Sequence, residues 1–126
     1  MKFKRASTTV KLAAVVLGGA LLGSGSATAH HSFAMFDNTK DTTLVGVVKE
    51  FQWTNPHTWL QLMVDENGQQ VEWSIEGSSP NGLARRGWTR TSFKPGDKVT
   101  VVIHPLKDGT KGGSYVKATL PDGKTL

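Results

Sequence analysis

The chain has 126 residues, with 15 Lys and Arg against 10 Asp and Glu, a formal net charge of +5, 37% hydrophobic residues and no cysteine. That length fits one domain with a small core. The missing cysteines exclude disulfide scaffolds, thiolate metal sites, cysteine nucleophiles and lipidation at an N-terminal cysteine.

Lys2, Lys4, Arg5 and Lys11 precede the uncharged apolar run Leu12 to Leu22, which leads through Ser24-Gly25-Ser26 to Ala27-Thr28-Ala29. A basic start, a short apolar stretch and a small-x-small triplet together read as a secretory signal peptide over residues 1–29. The apolar stretch is too short for a membrane anchor, which needs about 20 residues. The expected product is a periplasmic or secreted chain that begins at His30 and has no stable membrane insertion. The removed segment takes four of the fifteen basic groups and none of the acidic ones. The remaining domain is nearly neutral, which removes the electrostatic footprint that nucleic-acid binding requires.

Residues 30–41 form a polar and aromatic lead-in without a period, and a β domain is expected over 42–126. The stretch Thr43 to Trp53 is rich in β-branched and aromatic residues, and Gly46 within it reads as a bulge or tight bend. Asn55-Pro56 breaks the run. Thr58 to Asp65 alternates in the manner of a strand, and Asn67-Gly68 supplies a hairpin turn. Gln70 to Glu76 alternates with Val71, Trp73 and Ile75 inward and Glu72, Ser74 and Glu76 outward. Ser78-Ser79-Pro80 starts a short helix over Asn81 to Arg86, which Gly87 closes. A turn at Lys94 to Asp97 precedes a strand over Lys98 to His104. A glycine-rich loop from Asp108 to Gly113 then leads to a last strand, Ser114 to Leu120. Five strands with one short helix between the third and fourth is the order of a small all-β, OB-like barrel. A β-sandwich usually requires about seven strands.

All four histidines, His30, His31, His57 and His104, lie beyond the signal peptide. Cleavage after Ala29 gives His30 a free α-amine, so its amine and imidazole can chelate one metal ion together. A further imidazole completes an all-nitrogen set that suits copper, and an amine with a pKa of about 8 can lose its proton to a metal near neutral pH. His57 sits in Trp53-Thr54-Asn55-Pro56-His57-Thr58-Trp59, a stiff loop between the first two strands. His104 ends the fourth strand and could reach the same barrel mouth. His30 and His57 are the expected ligands, with His31 and His104 in reserve. Met35 and Met63 are soft-donor candidates, although packing is the commoner role of methionine.

The elements Ala29-His30-His31-Ser32-Phe33, Val45-Gly46-Val47-Val48 and Asn55-Pro56-His57-Thr58-Trp59 resemble those of a family of small exported bacterial proteins of unknown function. The resemblance spans essentially residues 29–120. It implies an exported small β domain and transfers no catalytic residue.

Enzyme motifs are absent from the sequence. Ser78-Ser79 lies outside a Gly-x-Ser-x-Gly elbow, Gly109 to Gly113 lacks the ending of a phosphate loop, and Glu72 and Glu76 read as solvated surface. Arg85, Arg86 and Arg90 read as a solvated helix end. The expected function is therefore a periplasmic binding protein without enzymatic activity that holds a metal ion, most plainly copper. The alternative is a module whose aromatic mouth at Trp53 and Trp59 receives a small apolar or sugar-like ligand or a periplasmic protein partner.

Overall fold

The computed structural model describes residues 33–126. Five strands form the domain: β1 (Thr42–Gln52), β2 (Trp59–Glu66), β3 (Gln69–Glu76), β4 (Lys98–Pro105) and β5 (Gly112–Thr119), with the short helix α1 (Pro80–Ala84) between β3 and β4. They close into a barrel in the order β1-β2-β3-β5-β4. The pair β3–β5 is parallel and all the others are antiparallel. Five strands closed in this order, with the helix between the third and fourth, make an all-β barrel of the OB type.

The local devices follow from the residues. Asn67 (φ 55°) and Gly68 (φ 85°) adopt the left-handed backbone of a two-residue hairpin, the conformation this dipeptide tolerates best. Ser79 caps α1 by accepting from the Gly82 amide at 3.2 Å, with Pro80 in the first turn. The long strand β1 serves two neighbours, pairing with β4 through its first half and with β2 through its second.

Two local expectations are corrected. The irregularity of β1 falls between Val48 and Glu50, not at Gly46. Gly46 instead permits close passage of β2, since a Cβ there would stand 2.5 Å from the Met63 carbonyl oxygen. Gly112 and Gly113 belong to β5, not to a loop, because a Cβ on either would strike the backbone of a neighbouring strand: Ser74 O at 2.8 Å and His104 O at 2.5 Å respectively.

The core runs along the inner face through Leu44, Val48, Leu60, Leu62, Ile75, Val101 and Ile103, and the β3–β4 connection adds Leu83, Trp88 and Phe93. Phe51, Trp88, Phe93 and Tyr115 pack edge to face or tilted, with ring centroids 5.1–6.2 Å apart, as the quadrupoles of aromatic rings prefer. The lead-in is docked against the end of β4. Phe36 is buried and bridges to Leu106, the Asp37 amide donates to Pro105 O at 2.8 Å, and the Lys107 amide donates to Met35 O at 3.0 Å.

Candidate functional site

Register places three polar residues in one row across adjacent strands. Glu76 of β3 pairs with Ser114 of β5, and Ser114 pairs with His104 of β4. Directly paired residues share a face, and two strand spacings separate the ends of the row by about 10 Å. The row lies on the face opposite Ile75 and Ile103, so it floors a cleft on the outside of the barrel wall. The β1–β2 loop brings His57 to one side, and the lead-in supplies Phe33 and Phe36. The cleft encloses about 300 Å³, at the lower end of the range for small-ligand sites.

The loop carrying His57 is held from both sides. Thr54 donates its hydroxyl to His57 O at 2.8 Å, and Asn55-Pro56 is a cis peptide. The Gly77 amide donates to Thr58 O at 2.8 Å, and Thr58, itself buried, donates its amide and hydroxyl to Ser78 O at 3.2 and 2.9 Å. This short ladder extends the β2–β3 pairing beyond the end of β3 and fixes where the imidazole stands.

Both histidines that line the cleft are anchored in the same way. His57 Nδ1 is 3.2 Å from Gly77 O and 3.3 Å from Glu76 Oε1. His104 Nδ1 is 3.3 Å from Lys40 O and 3.3 Å from Asp41 Oδ1. The imidazoles are about one-third and one-quarter exposed, at 32% and 27%, and the Glu76 side chain only 8%. Tyr115 also lines the cleft, with its ring edge to face against Trp88 and its hydroxyl donating to Leu126 O at 2.8 Å. Burial pushes the Tyr115 phenol well above its ordinary range, against smaller opposing effects of the Ala118 backbone and then of Arg86. Arg86 also donates to Ser78 Oγ at 3.0 Å, on the cleft wall.

The sequence leaves open whether His104 reaches the neighbourhood of His57; both line this cleft, which lies on the outer face of the sheet and not at the barrel mouth. His30 and His31 lie outside the described residues. Among the described residues, no three His, Asp or Glu side chains gather into a metal-holding group. Met63 faces a separate hollow beside Val47 and Asp65, and neither it nor Met35 lines the cleft. Trp53 packs partly buried against the core, edge to face with Phe51. Neither it nor Trp59 lines the cleft, whose aromatic rings are those of Phe33, Phe36 and Tyr115. Trp73 packs partly buried against the core, its indole N–H donating to Glu66 at 2.9 Å and Lys111 Nζ standing over its ring.

Glu76 lies on the outer face, where the alternation puts it, but it is not the solvated surface residue the sequence suggests. It does point away from the core, yet it is buried, with His57 Nδ1 3.3 Å from its carboxylate. Its only sequence signal is its place at the end of β3, next to the Gly77 that touches the His57 loop.

The chain belongs to a family of unknown function, DUF6152. The family model matches residues 19–116, a range that includes His30, His31, His57, Glu76 and His104. A search of curated proteins finds no match for this DUF6152 chain. Among solved structures, the mitochondrial single-stranded DNA binding protein Rim1 of S. cerevisiae is similar at 14% identity and a TM-score of 0.48, over 65% of this chain and 94% of that one. The barrel assignment stands on the strand order itself.

Proposed function

We propose that this protein is exported and holds a metal ion, copper in particular, in the cleft, with His57 and the mature N-terminal His30 as ligands. His31 and His104 are the reserve donors. The observation that carries this reading is the lining of the cleft: His57, His104 and Phe33 stand on its walls. Phe33 is three residues from His30, so chain geometry limits the separation of their α-carbons to about 11 Å. Cleavage after Ala29 would leave an N-terminal amine and imidazole within that span of Phe33, on the wall of the cleft that His57 also lines. Nitrogen donors of this kind suit copper, and the task is carriage, buffering or delivery of the ion.

The deciding experiment uses the exported protein, with its N-terminal residue established by intact mass. Cu(II) is titrated into the wild type, His30→Ala and His57→Ala. The expected affinity is tighter than about 1 µM, and each substitution weakens it about tenfold or more. Affinity of about 1 µM or weaker that neither substitution changes overturns the metal reading.

A second reading is favoured by the three aromatic rings on the walls and the volume of about 300 Å³. A small, partly apolar organic ligand would fit such a cleft. Ligand-induced thermal stabilisation that is indifferent to chelators would select it.

A further inference from the structure

We infer that the cleft is built to receive an organic ammonium ion, a small ligand whose charged nitrogen meets the Glu76 carboxylate and whose apolar body lies among Phe33, Phe36 and Tyr115. This rests on reading the cleft as the site of a small, partly apolar ligand, and adds the charge that such a ligand carries.

The charge balance at Glu76 points to the ligand. Its side chain is only 8% exposed, and a charge so enclosed is costly unless it is both paired and hydrogen-bonded. Here the compensation is incomplete. Its one ion partner among the described residues is His57 Nδ1 at 3.3 Å, and that nitrogen makes its hydrogen bond to Gly77 O instead. Arg86 reaches the cleft wall through Ser78 Oγ at 3.0 Å and does not pair with Glu76. No side-chain oxygen among the described residues is fully buried without a hydrogen bond, so Glu76 Oε2 keeps some exposure, onto the cleft that the residue lines. A nearly buried carboxylate thus turns an unsatisfied oxygen toward an open space. Ser114, its partner in β5, adds a hydroxyl on the same outer face, which can accept from a second N–H. Three rings, Phe33, Phe36 and Tyr115, line the same cleft, and the negative faces of aromatic rings attract cations. An anion would be repelled by the carboxylate, and a neutral ligand would bury it further without a counter-charge. A cation with N–H donors and an apolar body answers the carboxylate, the hydroxyl and the rings together. The volume of about 300 Å³ admits a body the size of a single ring.

Benzylamine, benzyl alcohol and benzoate share one ring and differ in charge. Each is titrated into the protein at mildly alkaline pH and low salt, with a chelator present to keep metal out. Binding is followed by NMR through the backbone amide shifts around Ser114 and Tyr115. Benzylamine should bind about tenfold or more tightly than benzyl alcohol, and benzoate should not bind. Glu76→Gln keeps the shape and removes the charge, and it should bring benzylamine down to the affinity of benzyl alcohol. Phe33→Ala, at a ring 75% exposed, should weaken benzylamine severalfold with stability unchanged. Equal affinity of the wild type for amine and alcohol overturns the inference without need of any variant, and leaves the small-ligand reading standing. A preference for the amine that survives Glu76→Gln also overturns it. Binding of none of the three overturns the inference together with the reading beneath it.

Discussion

Replacing Gly77 by alanine tests whether the short ladder behind His57 is as tightly built as its distances imply. The backbone of Gly77 lies outside the left-handed region, so alanine meets no conformational penalty and any cost must come from space. An added Cβ would run into Thr58 Oγ1 closer than real Cβ atoms come, while Thr58 Cβ at 3.7 Å and Thr58 O at 3.6 Å stay in ordinary contact. The hydroxyl cannot step aside at no cost. Thr58 is 1% exposed, and its Oγ1 donates to Ser78 O at 2.9 Å. Overpacking costs about 1–3 kcal/mol, and forfeiting a buried hydrogen bond adds about 1 kcal/mol. Gly77→Ala should therefore destabilise the fold by about 2–4 kcal/mol, roughly 10–20 °C in melting temperature for a domain of this size. Thr58→Ala alone should also destabilise, through the lost bond. It removes the atom that clashes, however, so the double substitution should cost less than the sum of the two, with a coupling of about 1–3 kcal/mol. Urea unfolding of the four proteins measures that coupling. Strict additivity would show that the clash is not the cause and would refute the reasoning.

Two further predictions concern titration. Tyr115 is the sole tyrosine of the chain, so its tyrosinate absorbance is an unmixed signal. Burial raises its phenol far above the ordinary value, and its contribution to stability is therefore complete below about pH 10 and is lost as pH rises beyond that. Tyrosinate absorbance should appear together with loss of the folded-state circular dichroism in an alkaline titration; ionisation with the fold intact would contradict the packing of this ring. At the surface, hydrogen bonds from Lys111 and then Trp73 hold the Glu66 carboxyl below its ordinary range. The favourable effect is present above the ordinary carboxylate pKa and fades as pH falls through the lowered one. Lys111→Met should move the Glu66 titration, followed by carboxyl NMR, upward toward the ordinary range, and an unmoved curve would deny the pair its role.

The barrel was legible because its signals are local. Asn67-Gly68, Ser79-Pro80 and the alternation of Leu60, Leu62 and Val64 each depend on a few neighbouring residues, and each element formed within a residue or two of where these patterns put it. His57 was legible as a candidate for the same reason, since a proline turn between two strands marks a held loop. The cleft was not, because it depends on a non-local fact: β5 enters between β3 and β4 and sets Ser114 between Glu76 and His104. Period-two patterning assigns a residue to a face of the sheet but does not tell what lies over that face. At Glu72 the outer face meets water, and the carboxylate pairs with Lys49 at 2.6 Å in the open. Four residues later on the same face, the β1–β2 loop brings His57 to 3.3 Å from Glu76, and the carboxylate is buried at the edge of the cleft.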